Sequence, residues 1–167
     1  MRLIIPLAAL AMFFIVACNN PPDIKGSEIS ASLVSTSACK NFTPRDLKFN
    51  IADTFSCVNY LYNASNNKVN MNHINAGFNC GIENISFGIS ENNDTIIIHE
   101  VENGPIANCL CLFDIEFELE GVDQQKYQVK FIEPNAEGME ELNFEMDLTK
   151  NNQGEFCVVR KGYPWGE

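Results

Sequence analysis

Phe113, Ile115, Phe117 and Leu119 alternate with Asp114, Glu116, Glu118 and Glu120. A period of two places the apolar set on one face of a strand and the acids on the other. Leu142, Phe144, Met146 and Leu148 alternate in the same way with Asn143, Glu145, Asp147 and Thr149. Tyr127, Val129 and Phe131 form a third inward set, and Ile85, Phe87 and Ile89 a fourth. Thr95-Ile96-Ile97-Ile98-His99 is apolar on both faces in its middle, which predicts an interior strand. Shorter strands are predicted at Val58–Tyr62, Val69–Ile74 and Phe156–Arg160.

Asn- and Gly-rich turns separate these runs, at Asn66-Asn67, Glu91–Asp94, Asn103-Gly104-Pro105, Gly121, Pro134-Asn135 and Asn151–Gly154. About eight short strands without a strong helical run predict an all-β fold, an antiparallel β-sandwich of immunoglobulin-like type, with an open β-barrel as the alternative. Residues 134–141 have room for one helical turn. The acids of Glu116, Glu118 and Glu120 read as the solvated face of a strand, guarding a sheet edge against aggregation.

The front of the chain is different. Arg2 precedes an unbroken apolar run from Leu3 to Val16, too short to span a bilayer as a stable helix. It predicts a signal peptide over 1–17. Ile15-Val16-Ala17-Cys18 resembles a bacterial lipobox, with Ile15 where Leu is usual, so Cys18 is the expected lipid attachment. Asn19 is not the Asp that resembles an inner-membrane retention signal, and the outer membrane is the expected destination, on the periplasmic or the surface side. Residues 18–38 read as a lipidated flexible tether with Pro21-Pro22, and 39–167 as a single domain.

Charge narrows the partners. The chain of 167 residues carries 11 basic and 22 acidic side chains, net −11. A body this acidic repels phosphate backbones, so no nucleic acid is expected as a partner.

Cys18 leaves six other cysteines: Cys39, Cys57, Cys80, Cys109, Cys111 and Cys157. In an exported protein an even set predicts a disulfide framework. Cys109 and Cys111 fall on the face of Phe113, about 6.6 Å apart along a strand, and would pair with each other only under strain. Each wants a separate partner, and Cys80 is the natural first candidate for one of them. The alternative is a zinc-type metal site of Cys80, Cys109, Cys111 and a histidine, His73 or His99, although the paired C-x₂-C spacing of structural zinc sites is missing.

Hydrolase chemistry finds no motif, neither a G-x-S-x-G elbow nor H-E-x-x-H. His73 continues Val69-x-Met71 and reads as a hydrogen-bonded structural histidine. Tyr163 and Trp165, the single Trp, are candidate ligand contacts near the C-terminus. Asp94-Thr95-Ile96 resembles the short Asp-(Ser/Thr)-aliphatic O-glycosylation pattern of exported Bacteroidota proteins and makes Thr95 a candidate acceptor.

From Cys57 to about Val129 the chain resembles small Bacteroidota lipoproteins. The residues carrying the resemblance are His73-Ile74-Asn75-Ala76-Gly77-Phe78-Asn79-Cys80 and Cys109-Leu110-Cys111-Leu112-Phe113-Asp114. Some members carry a second Cys where this chain has Gly81. The resemblance implies a secreted β-domain and supplies no substrate. The expectation is a non-catalytic outer-membrane lipoprotein without a cofactor, a binding or accessory module for a glycan, protein or peptide of the cell envelope. A metal-binding envelope lipoprotein is the alternative.

Overall fold

The structure, a computed structural model, describes residues 29–40 and 54–166. The signal segment, Cys18 and the tether up to residue 28 lie outside the described residues. Nine strands are described: β1 Ser30–Thr36, β2 Phe55–Asn63, β3 Lys68–Asn79, β4 Asn84–Asn92, β5 Thr95–Asn103, β6 Leu110–Glu120, β7 Lys126–Ile132, β8 Asn143–Asp147 and β9 Gln153–Val159. They form a sandwich of two open sheets, ordered β1-β6-β3-β2-β9 and β4-β5-β7-β8.

The alternating runs behave as their periodicity dictates. Ile115, Phe117 and Leu119 of β6 are buried while Glu116 and Glu120 face water. Val129 and Phe131 of β7 meet them from the other sheet, with Phe144 of β8 alongside. Aromatic rings join the layers: Phe87 stacks on Phe117 at 4.3 Å, and Phe131 meets Phe117 edge-on at 6.2 Å. Offset and edge-on pairs of this kind add to the burial of the rings themselves.

Several expectations need correction. The sheets are not wholly antiparallel, because β5 and β7 run parallel, Thr95 opposite Gln128 and His99 opposite Ile132. The chain crosses between them through β6 in the other sheet. Residues 134–141 form turns rather than a helical turn. The tether ends earlier than residue 38: Ile29 is buried, and Ser30–Thr36 pairs antiparallel with β6. β1 has no alternating apolar code because it is an edge strand, mostly exposed, held largely by backbone hydrogen bonds. It follows that the acids of β6 guard no edge. β6 lies between β1 and β3, and Lys68 of β3 bridges Glu118 and Glu120 at 2.6 Å each.

The pairing register gives the sandwich two unlike ends. Ser30 at the start of β1 lies opposite Glu120 at the end of β6. The turns 64–67, 93–94, 121–125 and 148–152 share that near end. The far end carries the connections 80–83, 104–109 and 133–142 and the C-terminal segment 160–166. Three disulfides staple it: Cys39–Cys111, Cys57–Cys157 and Cys80–Cys109. Bonds of this kind persist in oxidising compartments, which makes this an exported, non-cytoplasmic protein. No helix among the described residues is long and apolar enough to cross a membrane.

Candidate functional site

At the far end five strands extend their inward-facing alternation by a polar residue. Val69-x-Met71 continues to His73, Ile96-x-Ile98 to Glu100, and Val129-x-Phe131 to Glu133. Phe156-x-Val158 continues to Arg160, and Ser56 precedes Val58 on β2. The five side chains converge between the sheets and cap the apolar core with a polar plug. His73, Ser56 and Arg160 are fully or almost fully buried, and the side chains of Glu100 and Glu133 are 1% and 5% exposed.

Buried charges persist only when paired or hydrogen-bonded. His73 Nδ1 lies 2.7 Å from Glu100 Oε1, and Nε2 lies 2.8 Å from Ser56 Oγ. Glu133 Oε1 stands 3.8 Å from Nε2. Its other oxygen accepts from the Arg160 guanidinium, which also donates to the Glu140 carbonyl. Arg160 lies 5.4 Å from the centre of the Trp165 ring, and Phe131 meets His73 edge-on at 5.5 Å.

Burial alone would push the His73 pKa down, but the Glu100 charge and hydrogen bond, with Glu133 behind them, outweigh it and raise it. Burial also raises the Glu133 pKa, against the lowering pull of His73 and Arg160. Both shifts run toward the protonated forms. Among the described residues, Glu100 Oε2, Glu133 Oε1 and Arg160 Nε find no hydrogen-bond partner.

Ser56, His73 and Glu100 follow the hydrogen-bond order of a hydrolytic triad. The chemistry of such a triad needs a nucleophile that a substrate can reach, and Ser56 is 0% exposed. The order therefore serves packing: the imidazole spends both nitrogens on internal partners.

Glu133 and Arg160 also form part of the lining of a recess of about 280 Å³, opened between them and the turn that carries Ala136, Glu137, Met139 and Glu141. Three carboxylates against one guanidinium make its mouth acidic. The rim of the far end bears Ile106, 91% exposed, and Tyr163, 62% exposed. The Tyr163 hydroxyl donates to Leu110 O at 2.6 Å and accepts from Leu110 N–H at 2.8 Å, which ties the C-terminal segment to the start of β6.

The residues singled out from sequence divide sharply. Cys80 bonds Cys109, one of its two expected partners, and Cys111 bonds Cys39. Cys109 does not project into the core with Phe113, because it precedes β6 on an exposed connection. The cysteine–histidine metal set is ruled out on the same ground: a sulfur already in a disulfide cannot serve as a thiolate ligand. His99 is on the opposite face of β5 from Glu100, with Ser90 Oγ at 3.5 Å from its Nε2.

Trp165 is no ligand contact. It is completely buried and donates its indole N–H to Asn75 O at 2.7 Å. Its ring occupies the space over Gly77, where a Cβ would stand 2.5 Å from Trp165 Cζ2. Asn75 itself adopts φ 59° at a bulge in β3, a left-handed conformation that Asn tolerates better than most residues. Tyr163 stays on the surface. Thr95 is half-buried at the start of β5, beside the β4–β5 turn at the near end.

Glu100, Glu133, Arg160 and Ser56 escaped the sequence reading. Their signal was present as polar residues at inward positions, each continuing a buried alternation. No known protein-family model, curated protein or solved structure matches the chain.

Proposed function

We propose that this protein is a non-catalytic, lipid-anchored outer-membrane module that binds a glycan, protein or peptide of the cell envelope through its far end. The observation that carries this reading is the placement of β1. The chain joins the sheet at the near end, so a tether from Cys18 would attach at the end opposite the recess, Ile106 and Tyr163 and leave them accessible to a partner.

The recess suits such a role. Its volume of about 280 Å³ falls below the roughly 300–1,000 Å³ of ordinary small-molecule pockets. It has room for one side chain or one sugar ring of a larger partner. The disulfide Cys80–Cys109 ties the neighbouring connections 80–83 and 104–109 together, and Cys57–Cys157 fixes β9 just before Arg160, which reduces the ordering cost of binding at this end. The resemblance to small Bacteroidota lipoproteins supports the anchor and the compartment.

Surface plasmon resonance against purified envelope polysaccharide, peptidoglycan fragments and envelope proteins tests it. The expected result is binding to one class, weakened at least about tenfold by Ile106→Ser or Met139→Ala. Near-end Asn151→Ala should bind as the unaltered chain does. Binding to none of the three classes, or equal loss in far- and near-end variants, would overturn the proposal.

A further inference from the structure

Lys40 is pinned at its backbone on the β1 side of β6. Its N–H donates to Leu112 O and Ser37 N–H to Asp114 O, each at 2.9 Å. The preceding residue, Cys39, is bonded to Cys111 of the same strand. From there the Lys40 side chain, 14% exposed, crosses β6 towards β3. Nζ lies 2.7 Å from Asn75 Oδ1 and forms an ion pair with Asp114. Asn75 is 2% exposed and held at three further atoms. Its Nδ2 donates to Phe55 O at 2.7 Å, its backbone N–H donates to Asp114 Oδ1 at 3.1 Å, and its backbone O accepts the Trp165 indole N–H.

An amine, an amide carbonyl and a carboxylate touching both residues are the three groups that aminolysis of an amide requires. We propose that Lys40 and Asn75 are joined by an isopeptide bond formed within the folded chain, with Asp114 as the proton carrier. Nζ is at most about 3.9 Å from Asn75 Cγ, since the carbonyl bond adds about 1.2 Å to the hydrogen bond. A torsion at the end of the Lys40 chain moves it from the oxygen to the carbon. Groups held in attack geometry react with effective molarities of about 10⁵–10⁸ M.

Asp114 takes one proton from the Lys40 ammonium, and the resulting amine attacks Cγ. A second proton passes from Nζ through Asp114 to Nδ2 as the Cγ–Nδ2 bond breaks. The departing nitrogen carries both protons away as ammonium, and Asp114 returns to its carboxylate. No oxidant, cofactor or second molecule enters. Burial of Asn75 keeps water from competing for Cγ. The bond ties the chain that follows β1 to β3, across 35 residues of sequence. It adds a covalent hold where β1 itself relies largely on backbone hydrogen bonds. The reaction is a single turnover on the chain itself and does not depend on whether the far end receives an envelope ligand.

The test uses the full chain as exported, with its disulfides reduced and its cysteines alkylated before digestion. Tandem mass spectrometry should find one branched peptide joining Lys40 to Asn75, lighter by one ammonia than the two peptides it contains. Lys40→Arg and Asp114→Asn should lose that branched peptide entirely. Lys68→Arg, which alters another lysine paired with acids of β6, should keep it. Circular dichroism and closure of the three disulfides before reduction show that a variant has folded. The unaltered chain decides the bond itself, and the folded variants decide the role of Asp114. Separate Lys40 and Asn75 peptides in the unaltered chain, the result for a purely hydrogen-bonded cluster, would overturn the proposal. So would a link from Lys40 to Asp114 with loss of water, or a Lys40–Asn75 link that survives in folded Asp114→Asn.

Discussion

Asp147, at the end of β8, shows how a short-range arrangement sets one carboxyl. A hydrogen bond from the Lys150 ammonium, followed by one from the Thr149 hydroxyl, holds its pKa down at about 2, against an ordinary 3.8. A carboxyl whose folded pKa is depressed contributes stability above its unfolded value and loses it as pH falls through the folded one. The contribution is complete above pH 3.8 and disappears towards about 2. Side-chain carbon NMR should therefore give Asp147 a midpoint near 2, and Asp147→Asn should flatten the acid limb of the stability profile between these values. A midpoint near 3.8 would contradict the arrangement. The candidate site was less legible at this scale. His73 could be read as a structural histidine from Val69-x-Met71-x-His73, but its partners come from four other strands. Only three-dimensional pairing shows that those polar endings meet.

The elements divide by whether burial wrote them into the sequence. β6, β7 and β8 were visible because each has one dry face, so their apolar residues recur with period two. β1 left no such trace, since Ser30–Thr36 supplies an edge by its backbone and buries little side chain. Nor could the parallel β5–β7 pair be read from Ile96-Ile97-Ile98. A run apolar on both faces reports an interior place and not the direction of its neighbour. The apolar share of β1's attachment falls on Ile29, just before the strand and 4% exposed, whereas Val34 within it is 57% exposed. Ile29→Ala should therefore cost about 2–5 kcal/mol, as core truncations of that size do. Val34→Ala should stay within about 0.5 kcal/mol. Urea unfolding monitored by fluorescence distinguishes them, and equal midpoints for the two variants would show that β1 is not anchored by Ile29.

Across the whole molecule, the disulfides tie distant parts of the chain into the far end. Cys57–Cys157 joins neighbouring β2 and β9 across 100 residues of sequence, Cys39–Cys111 spans 72, and Cys80–Cys109 spans 29. Restricting the unfolded chain over such loops stabilises by about 4.7, 4.4 and 3.6 kcal/mol taken singly. The three spans overlap, so the values do not add. Cys57–Cys157 closes the longest loop and ties the outermost strand, β9, to the sheet. Replacing both cysteines by Ala should lower the melting temperature by roughly 10–20 °C, taking about 2–4 °C per kcal/mol for a domain of this size. Replacing Cys80 and Cys109 should lower it less, because the shorter loop restricts fewer unfolded conformations. Thiol titration of the denatured, unreduced protein should find all six cysteines blocked. A count near six, or a melting temperature indifferent to both double replacements, would mean that the far end is held by packing and by the polar plug rather than by its covalent staples.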